Sequence, residues 1–136
     1  MNNIQPILLI EDDQVDVMTV KRGFKDLGVL NPLVTAGNGE EAIHYLNKPS
    51  QGLPCVILLD INMPKMNGHE FLAQLKQHSV FKSIPVIMLT SSKEQQDVDT
   101  SFELGISGYI LKPVDYQLFL TSIQVLTPYW TLGGNQ

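Results

Sequence analysis

Cysteine is almost missing from this chain: Cys55 stands alone among 136 residues, so no internal disulfide can form, and a reducing cytoplasm is the expected compartment. Basic charge is also scarce. Nine Lys and Arg face fourteen Asp and Glu, a formal net charge of −5, which is the wrong balance for the basic stripe of a nucleic-acid surface. No segment approaches the roughly 18 consecutive apolar residues of a membrane span. The first residues have neither the basic nor the apolar region of a targeting segment. Neither nucleic acid nor membrane is therefore expected as a partner. Repeats and low-complexity stretches are missing too. What is present, 43% hydrophobic and 17% charged residues, is enough for one soluble domain with a real core at this length.

The most informative stretch is Val56-Ile57-Leu58-Leu59-Asp60-Ile61-Asn62-Met63-Pro64. From Cys55 to Leu59 the residues are all apolar, as in a strand covered on both faces of a parallel sheet, with Cys55 packing there as a small hydrophobe. The run delivers Asp60 to the strand's carboxyl end, where open α/β sheets bind ligands. Alone, Asp60 reads better as a turn cap. The other strand ends decide between the two.

Ile7 to Ile10 forms a short apolar strand that stops at Glu11-Asp12-Asp13. Val17, Val20, Phe24 and Leu27 then recur at helical spacing, with Asp13 placed to cap the helix and Gly28 to stop it. Leu33 to Ala36 reads as a second strand. Gly37-Asn38-Gly39 turns into a helix with Ala42, Ile43 and Leu46 on one face, and residues 47–54 form a loop. After the Asp60 strand, Phe71, Leu72 and Leu75 mark a third helix ending near His78. Val86 to Leu89 is a fourth strand running into Thr90-Ser91-Ser92. A fourth helix, Glu94 to Leu104, carries only Val98, Phe102 and Leu104 as large apolar residues, which predicts loose attachment to the core. Tyr109 to Leu111 is a fifth strand leading into Lys112-Pro113, and a last helix runs from Asp115 to about Leu126. Five βα repeats of these lengths predict an α/β fold: a doubly wound five-stranded parallel sheet with helices on both faces.

Parallel strands put all their carboxyl ends on one edge, which here collects Glu11, Asp12, Asp60, Thr90, Ser91 and Lys112. Carboxylates gathered within a few ångströms repel one another, and a divalent cation satisfies them. An all-oxygen donor set selects a hard ion such as Mg²⁺ (or Mn²⁺), which keeps waters that a phosphate oxygen can displace. Lys112 and the Thr90 hydroxyl suit phosphoryl oxygens. With no serine or cysteine assigned a histidine base, the nucleophile of such a centre is a carboxylate.

These motifs, Leu-Ile-Glu11-Asp12-Asp13, Leu-Leu-Asp60-Ile-Asn62-Met63-Pro64 with Gly68 beyond, Leu-Thr90-Ser91 and Leu-Lys112-Pro113, in order on successive strand tips, resemble the receiver domains of two-component response regulators. The resemblance covers Ile7 to Leu126. It implies a flavodoxin-like fold of receiver type, with residues 5–127 as the receiver and 128–136 as a short tail without an output domain. It further implies that Asp60 accepts phosphate from the phosphohistidine of a sensor histidine kinase. Asp12, the Asp60 side chain and the Asn62 carbonyl then hold the metal, with Glu11 acting through water. Glu11 stands where the family more often has Asp, which leaves open whether its contact with the metal is direct. Thr90 and Lys112 grip the phosphoryl group, the Lys112-Pro113 bond is cis, and Tyr109 is the switch aromatic. Ser91 and Ser92 either tune phosphate lifetime or cap the next helix. A protein of this kind is no enzyme beyond assisting its own phosphorylation, and its output is protein contact. The Glu-Asp-Asp opening, the long Gly28 to Glu41 connection and the aromatic tail look most like the small receivers paired with bacterial phytochrome kinases.

Other functions fit part of the pattern. A phosphorelay intermediate would pass its phosphate on to a histidine phosphotransferase. A phosphatase of the haloacid dehalogenase type generally wants Asp where Asn62 stands, and a flavin-binding carrier would find its phosphate repelled by Glu11-Asp12-Asp13. His44, His69 and His78 lie on helices without ligand spacing. On the last helix Phe119, Ile123 and Leu126 form the core stripe at about 100° per residue. Leu118 and Val125 extend that stripe on one flank, and Tyr116 and Leu120 on the other. With Trp130 of the tail, Tyr116, Leu118 and Leu120 are expected to form a homodimer interface; the alternative is a tail folded back over the helix.

Overall fold

Buried apolar strands set the architecture. In the structure, a computed structural model describing residues 4–61, 66–90, 95–111, 116–125 and 128, every residue of β1 (Ile7–Ile10) and β3 (Val56–Asp60) is buried. That is what uninterrupted apolar runs require when helices cover both faces of a sheet. The remaining elements are α1 (Gln14–Asp26), β2 (Leu33–Ala36), α2 (Gly39–Asn47), α3 (Gly68–Gln77), β4 (Val86–Thr90), α4 (Gln95–Glu103), β5 (Gly108–Leu111) and α5 (Tyr116–Val125). All pairings are parallel, in the order β2-β1-β3-β4-β5. The doubly wound α/β sheet expected from the sequence is the observed fold.

Alternation along the strands divides the core in two. Leu8, Ile10, Ile57, Leu59, Val86 and Met88 point to the face covered by α2 and α3, through Ala42, Leu46, Phe71, Leu72 and Leu75. Ile7, Leu9, Val56, Leu58, Ile87, Leu89 and Ile110 point to the other face, under Val17, Val20 and Phe24 of α1 and Phe119 and Ile123 of α5. Helix ends follow their predicted signals. The Asp13 carboxylate accepts from the backbone N–H groups of Val15 (2.8 Å) and Asp16 (3.4 Å). Gly28, just past α1, has φ +69°, the left-handed conformation glycine takes without a steric cost.

Several boundaries differ from the reading by periodicity. Cys55 precedes β3 instead of lying in it: its N–H donates to the Pro6 carbonyl (3.0 Å), so it is held by the segment before β1. Burial pushes its thiol up to about 11, leaving a neutral, structural sulfur. A single 3₁₀ turn, Phe81–Ser83, sits between α3 and β4 where no periodicity could reveal three residues. Its start is held by His78, whose Nδ1 accepts from Val80 N (3.1 Å) and Phe81 N (3.3 Å). Phe102, counted toward the core of α4, is 46% exposed, and the buried side chain that α4 contributes among the described residues is the polar Ser101. The α5 stripe is borne out at Phe119 and Ile123, while Leu126 lies outside the described residues.

The flank of α5 expected at a dimer interface also meets α1 in the same chain. Tyr116 turns to α1 in the same chain: its hydroxyl bonds to Asp26 Oδ2, and the Arg22 guanidinium lies 4.4 Å above its ring. Leu120 stands beside Gly23 of α1. A flank directed at α1 serves packing within the chain first.

Gly23 explains how α1 and α5 come so close. A Cβ there would lie 2.5 Å from Phe119 Cε2, and Phe119 is buried. Replacing glycine by alanine inside a helix normally gains about 0.5–1 kcal/mol, but overpacking a core costs about 1–3 kcal/mol. The overlap wins, and Gly23→Ala is expected to lower the urea midpoint. An unchanged or higher midpoint would show that Phe119 yields.

Candidate functional site

Strand register builds the site. Ile10 pairs with Leu59, so one residue further on Glu11 and Asp60 leave the sheet side by side at its carboxyl edge. Both are buried, Glu11 at 2% and Asp60 at 5% exposure, while the neighbouring Asp12 is exposed. Ligand atoms of Glu11, Asp12 and Asp60 lie within 4.8 Å of one another. Two buried carboxylates that close repel by about 3 kcal/mol at an effective dielectric near 20. An oxygen-only cluster opening to solvent through Asp12 fits a hard divalent cation.

Why Asp13 stays out of this cluster is visible in its hydrogen bonds: its carboxylate is committed to capping α1. Glu11 is fixed twice locally, its N–H donating to the Ala36 carbonyl (2.9 Å) and its Oε2 accepting from Asp13 N (3.2 Å). Asp60 ends β3 next to β4, where it pairs with Leu89, and the Ile61 N–H donates to the Leu89 carbonyl (3.1 Å). Thr90 closes β4 opposite Leu111 of β5, which places its backbone on the same edge. Asn62, Ser91, Lys112, Pro113 and Trp130 lie outside the described residues, as does the side chain of Leu118. Tyr109 stands on β5, 45% exposed, its ring edge-on to Phe102 of α4 at 6.1 Å and 83°.

Periodicity leaves three supports of the site unread. The chain leaving Asp60 is pressed against Gly68, where a Cβ would lie 2.7 Å from Ile61 Cα and 2.9 Å from the Asp60 carbonyl oxygen. The Gly68 N–H donates to the Ile61 carbonyl (3.0 Å), so Gly68 and Ile61 meet with no space for a side chain at position 68. Asn67 and Glu70 form a reciprocal cap at the start of α3. That spacing, Asn followed three residues later by Glu, is a legible signal. Finally, His69 Nε2 lies 2.9 Å from Ser101 Oγ, tying α3 to α4; nothing in the sequence connects those two positions.

Paired carboxylates on parallel strand tips, a capped helix behind one of them and an exposed aromatic on the last strand are the arrangement that the receiver motifs imply. Residues 7–124 match the model of the response regulator receiver domain, and the chain belongs to that family. Response regulator Rcp1 of Synechocystis sp. is 33% identical over 128 residues, spanning 91% of this chain and 87% of Rcp1. Its Mn²⁺-bound structure superposes with a TM-score of 0.81 at 32% identity, covering 93% and 94% of the two chains. The phosphorylated cyanobacterial phytochrome response regulator RcpA gives 0.82 at 30% identity and 93% of each chain. The bacteriophytochrome response regulator AtBRR gives 0.77 at 39%, covering 94% and 96%. The chain is thus a response regulator of receiver type, related to phytochrome response regulators. Among the described residues no helix is long and apolar enough to cross a membrane.

Proposed function

We propose that this protein accepts a phosphoryl group on Asp60 from the phosphohistidine of a sensor kinase of the phytochrome type and passes the signal on by protein contact. The observation that carries the reading is the Glu11, Asp12 and Asp60 cluster at the carboxyl edge of the sheet. An Asp60 oxygen forms the new O–P bond as the N–P bond of the donor breaks, and the departing imidazole keeps the electron pair and takes up a proton. Mg²⁺ or Mn²⁺, when bound, supplies the positive charge that lets an anionic carboxylate meet an anionic phosphoryl group. Asp12, Asp60 and the Asn62 carbonyl hold it, with Glu11 directly or through water. Rcp1, solved with Mn²⁺ bound, supports a divalent cation as part of this reading. Thr90 and Lys112 take the phosphoryl oxygens, and Ser91 either sets the lifetime of the product or caps the next helix.

Phosphorylation is read out at Tyr109. As Thr90 is drawn to the phosphoryl group, Tyr109 leaves the edge of Phe102 and turns inward, so that α4, β5 and α5 present a changed face. Residues 5–127 are the working unit of this reading, with 128–136 as its tail.

Replacing Asp60 with Asn is expected to abolish Mg²⁺-dependent labelling by a small phosphodonor such as acetyl phosphate. Undiminished label on another residue would refute the assignment.

Self-association through α4, β5 and α5 belongs to the same proposal. Its support is the exposure of Phe102, Tyr109 and Val125, since apolar groups left to solvent mark contact surfaces. With Tyr116 and Leu120 turned to α1, Leu118, Val125 and Trp130 remain as the α5 and tail contribution. Light scattering should report a dimer at tens of micromolar, a range that reveals even weak interfaces, and Val125→Asp should reduce it. A wild type that stays monomeric with and without phosphodonor would assign the face to a different partner.

A further inference from the structure

The turn between β2 and α2 is a braced block. Asn38, only 7% exposed, accepts from Glu41 N through Oδ1 (2.9 Å) and donates through Nδ2 to Glu41 Oε2 (3.3 Å), while Gly37 N donates to Glu41 Oε1 (3.0 Å). On one side the block is joined to the site, because Ala36 just before it receives the Glu11 N–H. On its other side sits Met66. A Cβ on Gly39, the first residue of α2, would lie 2.9 Å from both Cβ and Sδ of Met66 and 3.0 Å from its Cγ. The thioether chain therefore rests directly on the glycine backbone, in a socket that no larger residue would leave open.

Met66 ends the segment that begins at Asp60 and contains Asn62. The near end of that segment is held at Ile61, by its N–H to the Leu89 carbonyl and by Gly68 N to its own carbonyl. The far end is held by Met66 on Gly39. We propose that Met66 is a positioning residue for the metal site: seated on Gly39, two residues before the Gly68 that presses on Asp60 and Ile61, it ties the Asp60 end of β3 to the same block that holds the Glu11 backbone, and so fixes the spacing of those two carboxylates around the cation. The proposal rests on the metal reading above.

Mn²⁺ affinity of the unphosphorylated protein, followed by the EPR signal of free Mn²⁺, tests it without any phosphotransfer. Met66→Ala removes the Cγ and Sδ contacts and is expected to raise Kd at least about tenfold, the lower end of what lost support around a metal ligand costs. Met66→Leu keeps Cβ and Cγ in the socket and should stay within about twofold of wild type, as a volume-conserving exchange. Val20→Ala, a buried change on the opposite face, should lower stability while leaving Kd unchanged. Gly39→Ala, if it folds, should weaken binding as Met66→Ala does. A wild type that fails to bind Mn²⁺ would remove the metal reading and the brace with it. A wild type that binds, with Met66→Ala binding equally well, would overturn the brace alone. A Val20→Ala variant weakened as much as Met66→Ala would also overturn it, since affinity would then follow general stability.

Discussion

Like charge held at close range is the constraint on which the rest of this structure depends. Glu11 and Asp60 are carried to the same point by two fully buried, parallel strands, and neither can retreat without breaking the register of the sheet. An ordinary surface would let such side chains swing apart into water. Here the rigidity of the core holds the repulsion in place and makes it available to a cation, and through a cation to a phosphoryl group.

The helices and turns around the edge serve that arrangement. Asp13 is spent on capping α1, which leaves Asp12 as the exposed carboxylate of the cluster. Gly68 lies against Ile61 and the Asp60 carbonyl, so that α3 starts close behind Asp60. The face on which a signal can leave is built differently. Ser101 is the buried one among the described side chains of α4, while the exposed Phe102 and Tyr109 meet edge to face. A face with exposed aromatic groups is more readily re-seated than the buried faces of α1 and α3.

The five strands, the five helices and the acidic strand ends were legible because each rests on a local pattern: apolar runs, residues three and four apart, a carboxylate where a strand stops. The contacts that hold the edge together were not, because they join residues distant in sequence. Gly28 and Gly68 look alike in the chain, yet one is needed for its positive φ and the other for the closeness of the Asp60 carbonyl. Tyr116 looked like part of an outward apolar arc because helical periodicity cannot say which neighbour a flank will meet. Arg22 and Asp26 claimed it. The 3₁₀ turn at Phe81 and the bond between His69 and Ser101 left no periodic trace at all.

A crystal structure with Mg²⁺ and beryllofluoride tests the central claim most directly, because the fluoride complex imitates a phosphoryl group on a carboxylate. The expected result is beryllium on an Asp60 oxygen, the metal on Asp12 and Asp60 with Glu11 at or one water from it, and Tyr109 turned in from Phe102. Metal and fluoride bound elsewhere, with Glu11, Asp12 and Asp60 unengaged, would contradict it.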